Sequence, residues 1–591
     1  MGKTKKSRIE RAHIDAETPL HWGYVFDQVM QKRGGFDIVL TNPPWEVFKP
    51  QAKEFFADHS ELVTKNKMTI KEFEKEQGKL LKDEAVREAW LAYESHFPHL
   101  NQYFRRAPEY RSQFATVDGR KVGSDLNLYK LFLERCFSLL RPGGHCGIVI
   151  PSGIYTDLGA KGLRDLLFNR TRIEGLFCFE NRKTIFEGVH RSFKFVVLTF
   201  EKTASLRVQQ PGEKNVSAPP DDLLSPARTG ELGTTRFPAA FMRWDVTELD
   251  RFPAEGALWL DVNLIRRLSP DSHSVMEFKT EQDIHIAEKM LHFPLLGEHC
   301  PGAWKVSLCR EFHMTDDAKL FKTDSATGRL PLFEGKMIWQ FNSAYAEPRY
   351  WVNETEGKTA LLRVATRRLT AMLKVETGLT NDLLDSLVDE SEITLDSSAY
   401  RLGFRDIAAN TNERTMICSI LPPNVFAGNT INLIQPFEFV VDGSTWKQQK
   451  TLAPAVTLFA CGVFNSFVID WLLRQKITSH LNMFYVYQVP IPRLKENAPT
   501  FSPIVTRAAQ LTCTTPEFDA LAREVGLEHH QLLDPIERAR LRAELDGLVA
   551  HLYGLSEAEF ALILASFPLV PEPVKVDAHN AYRRVAQGLI T

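Results

Sequence analysis

One short stretch sets three kinds of chemistry side by side: Asn42-Pro43-Pro44-Trp45. The asparagine offers a carboxamide oxygen, the prolines fix φ and donate no hydrogen bond, and the indole adds a flat apolar wall. Two acceptors, the Asn42 side-chain oxygen and a carbonyl beside Pro43, are thereby held in a shape the chain cannot relax. That pair suits the two hydrogens of an exocyclic amino group on a planar ring. Held so, the nitrogen moves toward sp3 character and its lone pair is free to attack an electrophilic methyl group. No base of high pKa is needed beforehand, because the amine proton becomes acidic once the nitrogen is methylated. The competing reading is a Pro-rich turn with Trp45 as ordinary core.

The element that must position this motif is the run Phe36-Asp37-Ile38-Val39-Leu40, with Gly34-Gly35 before it. A short apolar run bounded by turn residues reads as a buried strand of an α/β sheet. Ligands of open α/β sheets sit outside the carboxyl ends of the strands, where the prolines begin. A strand before the motif and an aromatic after it favour the chemical reading over the turn.

The segment resembles the catalytic motif of amino-group DNA methyltransferases of the adenine-N6 type, which carry Asn-Pro-Pro followed by an aromatic. With His21-Trp22 and Gly34-Gly35-Phe36-Asp37, it is similar to the large methylases of fused restriction-modification and phage-defence systems. The resemblance implies that Asn42 and the backbone at Pro43 hold the adenine N6, that Pro44 belongs to the same catalytic motif, and that Trp45 stacks on a flipped base. It implies S-adenosyl-L-methionine as cofactor and double-stranded DNA as partner. In that family the cofactor motifs precede the Asn-Pro-Pro motif, whereas no Gly-rich loop precedes Phe36 here. The expectation is that a second polypeptide supplies the upstream strands and Gly-rich loop, or that the chain is a truncated product. Further defence-system subunits are possible partners under the same resemblance.

The chain has 591 residues, 25% charged and 44% apolar, which describes an ordinary globular protein of several units. A net charge of -2 gives no whole-chain argument for nucleic acid, so a DNA surface must be local. Its eight cysteines show no CxxC pair and no ligand spacing with histidine, so reduced thiols and no metal are expected. No long apolar run suggests a membrane span, and a cytoplasmic location is expected.

Residues 1–20 read as a basic flexible arm carrying Lys3, Lys5, Lys6, Arg8 and Arg11. Residues 21–200 read as the catalytic half of a methyltransferase domain. An insert at 46–120, of one or two amphipathic helices, forms a lid or arm. Arg105, Arg106, Arg111, Arg120 and Lys121 give it a basic edge, which is either a phosphate contact or a solvated face. A helix from Leu128 to Leu140 is stopped by Arg141-Pro142-Gly143-Gly144, and the strand Cys146 to Ile150 follows. The resemblance places Asp125, Asn127 and Tyr129 at the cofactor and target-base pocket, although Asp125 also reads as a helix cap. A helix at 161–169 and strands at 173–179 and 193–200 complete this half. The loop Thr184 to Arg191 resembles the family's late motif, in which an aromatic stacks on the second face of the base. Phe186 matches by position, with Phe193 as the alternative.

Residues 201–235 read as a linker, 236–495 as a DNA target-recognition domain and 500–591 as a helical region whose regular structure ends at Pro568, Pro571 and Pro573. Phe333-Glu334-Gly335-Lys336 resembles the opening of the family's recognition domain. Lys336, Arg401, Arg405 and Arg414 are the candidate DNA contacts; the arginines could equally pair with carboxylates inside a β-rich domain. The expected fold class is α/β: the C-terminal part of a Rossmann-like class I methyltransferase sheet, then a mixed α/β recognition domain and a helical tail. The expected function is adenine-N6 methylation of a specific DNA sequence. Its rivals are a non-catalytic DNA-specificity subunit and a fragment of a fused restriction endonuclease-methyltransferase.

Overall fold

The computed structural model describes residues 10–590, apart from 17, 19, 61, 64–67, 118–119, 123–124, 205–232, 381–382, 385, 410–411 and 478–479. Lys3, Lys5, Lys6 and Arg8, and most of the linker expected at 201–235, lie outside the described residues. The chain divides into two units, Met1–Lys279 and Thr280–Thr591.

In the first unit the run before the Asn-Pro-Pro motif forms strand β1, Phe36–Thr41. Gly35 permits its approach to the next strand: φ is +134°, and a Cβ there would lie 2.5 Å from the Leu139 carbonyl oxygen. The described part of the insert includes helices α1 (Ala52–Ala57), α2 (Ile70–Leu80) and α3 (Glu84–Phe104), around a small core of Phe56, Phe73 and Trp90. Helix α4, Leu128–Leu139, then leads directly into β2, Leu140–Pro151. β2 is longer than expected. Arg141-Pro142-Gly143-Gly144 lies inside it, and its pairing with β1 shifts register between Phe36 and Ile38.

Helix α5 (Lys161–Arg170) and strands β3 (Thr171–Glu180), β4 (Lys194–Lys202), β5 (Arg236–Arg243) and β6 (Leu258–Asp261) complete this unit's sheet. Its order is β1-β2-β4-β3-β5-β6. β1 and β2 are parallel, β4 is antiparallel to both β2 and β3, and β5 runs parallel to β3. β5 and β6 were expected to open the recognition domain; they belong instead to the first sheet. That pairing spans residues 205–232, a separation at which sequence periodicity carries no signal.

The central strands are buried, with Ile148, Ile150, Val196, Leu198 and Phe200 at or near zero exposure. β1 departs from the expected buried strand. Among the described residues it is the sheet's edge, and Ile38 and Leu40 on one of its faces are 68% and 83% exposed.

The second unit carries two small four-stranded sheets and a helical group. One sheet includes β7 (Arg329–Phe333) and β8 (Tyr350–Asn353); the other includes β9 (Arg401–Arg405), β10 (Cys418–Leu421) and β11 (Ile431–Ile434). Helices α6 (Pro454–Phe464), α7 (Phe467–Arg474), α8 (Phe501–Thr512) and α9 (Pro535–Leu552) pack with an almost wholly buried α6 at their centre. α10 (Glu557–Ala565) and α11 (Glu572–Ala586) follow. Pro573 does not end regular structure as expected: it lies in the first turn of α11, where a missing N–H costs nothing. Among the described residues no single helix is long and apolar enough to cross a membrane.

Candidate active site at the end of β1

The chain leaves β1 at Thr41 with Asn42 exposed, Pro43 buried, Pro44 exposed and Trp45 half-buried. Burial of Pro43 seats the turn on the protein, so the Asn42 carboxamide projects from a fixed base. Trp45 is held at both ends. Its indole N–H donates to the Val149 carbonyl of β2 at 3.2 Å, and its ring packs among Phe193, Phe195 and Phe186. Phe193 is nearly parallel to it, 9° between planes and 5.7 Å between centroids, whereas Phe186 meets it edge-on at 78°.

These two aromatics, both candidates from the sequence, are therefore different. Phe186 is half-buried and also packs edge-on against Phe195, at 4.8 Å. Phe193 is 37% exposed and presents its face. The loop carrying them is fixed by a residue the sequence reading did not single out. Asn181, fully buried, accepts from the Phe186 N–H at 2.9 Å and donates to the Phe186 and Val189 carbonyls at 3.0 and 2.9 Å. Its own N–H donates to the Phe193 carbonyl at 2.9 Å. An asparagine immediately after a strand was the available signal; that it closes a loop is visible only in three dimensions.

Asp125, Asn127 and Tyr129 come to the same end of the sheet. Phe48 N–H donates to the Leu126 carbonyl at 2.7 Å and Leu128 N–H to the Glu46 carbonyl at 3.0 Å, so the chain just past Trp45 is laced to the start of α4. Asp125 is exposed and is not the helix cap. That position is Asn127, whose side chain makes no capping bond. Tyr129 is buried, and its hydroxyl has no hydrogen-bond partner. A Cβ on Gly153, past the end of β2, would lie 2.7 Å from that hydroxyl and 2.5 Å from an Asp157 carboxylate oxygen. Burial, with Asp157 nearby, pushes the Tyr129 hydroxyl well above the usual phenol range. Burial likewise lowers the neighbouring Lys130 ammonium, which Asp157 partly offsets. Arg164 fixes this corner by donating to the Ile154, Asp157 and Ser272 carbonyls at 2.6–3.0 Å.

At the far end of the sheet's strands, His145, Glu174 and Glu201 bring ligand atoms within 4.8 Å of one another. Arg172 already pairs with both glutamates, so the group is neutralised from within.

The candidate DNA contacts of the second unit separate by depth. Arg401 is fully buried, pairs with Glu311 and donates to the Val425 carbonyl at 2.7 Å. Arg414 is buried, bonds Asp470 at 2.8 Å and the Asn465 carbonyl at 2.6 Å, and lies 4.0 Å over Phe467. Side chains at that depth reach no phosphate, and their carboxylate-pair alternative is the one realised. Arg405 is half-buried, donates to the Ile338 carbonyl and covers Trp339. Lys336 is exposed.

Comparison with known proteins adds a family link for the first unit. Residues 100–186 match the family described as Eco57I restriction-modification methylase. The matched segment contains Asp125, Asn127, Tyr129 and Phe186 and stops short of Asn42–Trp45. No curated protein matches the chain. Among solved structures, the type IIL restriction-modification enzyme MmeI in complex with DNA is similar over 96% of this chain and 59% of its own, with 11% identity and a TM-score of 0.41. A nuclease-deletion mutant of the type ISP enzyme LlaGI, in complex with a DNA substrate mimic, is similar over 83% of this chain and 44% of its own, with 11% identity and a TM-score of 0.34. The DrdV–DNA complex is similar over 86% of this chain and 46% of its own, with 8% identity and a TM-score of 0.35. The chain thus spans less than two thirds of each of these structures' length.

Proposed function

We propose that this chain is the methyl-transfer and DNA-recognition portion of a restriction-modification protein, acting on the exocyclic amine of a flipped adenine. The observation that carries the reading is the strand end itself. An exposed Asn42 carboxamide stands on a buried proline, beside an indole that is hydrogen-bonded in place and faced by a parallel phenyl ring. The restriction-modification methylase match at 100–186 supports the same reading.

In this reading a base leaves the duplex and regains its lost stacking against Trp45. Phe193 is already stacked on Trp45 with 5.7 Å between centroids, too close for a base between the two rings. In this reading the exposed Phe193 swings aside to admit the base and then faces its other side, while Phe186, edge-on to Trp45, buttresses the indole. Asn42 and the carbonyl beside Pro43 accept the two amine hydrogens and turn the nitrogen lone pair outward. S-adenosyl-L-methionine, when bound, supplies the electrophilic methyl group. The residues present fit one side of it: the exposed Asp125 carboxylate suits an ammonium, and the orphaned Tyr129 hydroxyl suits a polar group, with Asn127 between them in sequence. After transfer the amine proton leaves to water.

Among the described residues nothing pairs with the outer edge of β1 or supplies the opposite side of the pocket, and Ile38 and Leu40 there face solvent. That observation favours a second element of the reading. By itself the chain is a DNA-positioning part, and methyl transfer needs strands that pair with β1 and complete the cofactor pocket. Those strands belong to a partner polypeptide or to a larger fused enzyme of which this is a portion.

The test is Asn42→Ala in the completed assembly. Methyl transfer to adenine is expected to fall by at least about 100-fold, the scale of losing a preorganised polar contact to the reacting group. DNA affinity should stay within a few-fold, because phosphate contacts supply most of it. Methylation at the wild-type rate would overturn the assignment.

A further inference from the structure

Between β7 and β8 the chain makes a tight hairpin whose exposed aromatic surface the candidate contacts Lys336 and Arg405 do not by themselves explain. Trp339 and Asn342 exchange backbone bonds at 2.7 and 3.0 Å, and Phe341 between them is buried with φ +60°. A bulky residue in the left-handed region is strained and persists only where its surroundings hold it. They do so here. Phe341 N–H donates to the Cys418 carbonyl at 3.1 Å. The buried Gln340 side chain donates to the Asn465 carbonyl at 2.9 Å and accepts from Arg542, and its carbonyl accepts from Arg538.

What this anchored hairpin displays is aromatic and cationic. Tyr345 is 56% exposed and stacks on Trp339 at 5.4 Å with 25° between planes. Arg405 supports Trp339, its guanidinium carbon 5.1 Å from the ring centroid and its donors on the Ile338 carbonyl. Lys336 and Arg349 flank the pair with side chains 55% and 56% exposed, sharing one carboxylate, Glu334, at 3.5 and 3.9 Å. Glu334 is only 12% exposed, so Lys336 and Arg349 face solvent over one largely hidden anion. Arg349 also lies over the Tyr350 ring, and the exposed Glu347 is the one solvent-facing carboxylate between Tyr345 and Arg349.

We infer that this hairpin is a contact surface for double-stranded DNA. Tyr345 on Trp339 packs against deoxyribose and base edge, and Lys336 and Arg349 take phosphates on either side. The inference rests on the proposal that the second unit recognises DNA, and adds which residues touch it. Rigid aromatics beside exposed cations suit a ligand that alternates apolar rings with negative charge. Arg405 stiffens the platform and does not itself reach phosphate.

The experiment is fluorescence anisotropy of the full chain with a random-sequence DNA duplex over a salt series. Tyr345→Ala should weaken binding by about fivefold or more, the scale of losing a buried aromatic contact, while Tyr345→Phe, which keeps the stack, retains it. Lys336→Gln and Arg349→Gln should each reduce the slope of log affinity against log salt by about 1. A chain that binds duplex with Tyr345→Ala and the two charge variants unchanged would overturn the inference, as would a chain that binds no duplex. A chain that binds DNA through this hairpin but transfers no methyl group in the completed assembly would sink the catalytic proposal alone.

Discussion

Two elements of this protein treat their apolar residues in opposite ways: α6 in the second unit and β1 in the first. In the second unit α6 is buried almost throughout, and two of that unit's arginines lie inside with their carboxylates: Arg401 with Glu311, and Arg414 with Asp470. In the first, a strand of ordinary core composition, Phe-Asp-Ile-Val-Leu-Thr, is left as a sheet edge with its aliphatics in solvent. Tyr24 and Val25, just before it, are 85% and 52% exposed as well. A free, apolar strand edge invites pairing with another chain and is ordinarily blunted. The contrast teaches that a strand of core composition left at a sheet edge, with its hydrogen-bonding groups and aliphatics both open, marks a surface suited to pairing.

The largest expected effect comes from spoiling that surface. Ile38→Lys with Leu40→Lys should leave the isolated chain's stability nearly unchanged, since exposed positions shift it by about 0.5 kcal/mol or less. The same pair should abolish assembly with the upstream strands, read by co-purification. Calorimetry of the unmodified chain alone should show no S-adenosyl-L-methionine site as tight as about 10 μM, roughly -7 kcal/mol. A stoichiometric site of that strength in the lone chain would break the comparison.

Arg414→Ala tests the other side. It takes from the buried Asp470 one of two arginine partners, leaving Arg474 and the Thr415 and Met416 N–H groups. The change should cost about 3 kcal/mol in denaturant unfolding, the low end for breaking a buried ion pair. Unchanged stability with weaker DNA binding would mean that Arg414 reaches DNA after all.

The aromatic pair gives the next effect. Phe193→Ala should cost about 1–3 kcal/mol in retention of an extruded base, followed by 2-aminopurine fluorescence at the target position. Phe186→Ala should act mainly by loosening Trp45. If Phe186→Ala silences the signal while Phe193→Ala does not, the parallel ring is not the one that faces the base.

The smallest effect is a pH dependence. Burial raises the Asp546 carboxyl to about 6 from an ordinary 3.8, because the buried anion lacks water. The folded state therefore holds its proton to higher pH than the unfolded chain. That contribution to stability is fully present below about pH 3.8 and is lost as pH rises through about 6. In matched denaturant titrations at pH 4 to 7, Asp546→Asn should remove this part of the fall in stability. Equal pH profiles for the two proteins would show that Asp546 does not titrate in that window.

Much of the first unit was legible in the chain itself. The strand before Asn42, the helix after Asn127 and the strand ending at Pro151 follow from apolar period and from glycine and proline punctuation, which are local properties. The Asn-Pro-Pro-Trp chemistry is local too, since four consecutive residues carry it. Other features depend on residues far apart. Whether Arg401 and Arg414 face solvent or a carboxylate turns on Glu311 and Asp470, which no spacing links to them. That Phe193 lies parallel to Trp45 while Phe186 stands edge-on depends on a loop tied at both ends to Asn181, by its carboxamide at Phe186 and Val189 and by its backbone N–H at Phe193. That β5 pairs with β3 across residues 205–232, and that nothing among the described residues pairs with the outer edge of β1, were decided by strand order. An amino-acid pattern specifies which face of a strand is apolar, but only packing decides whether that face is covered.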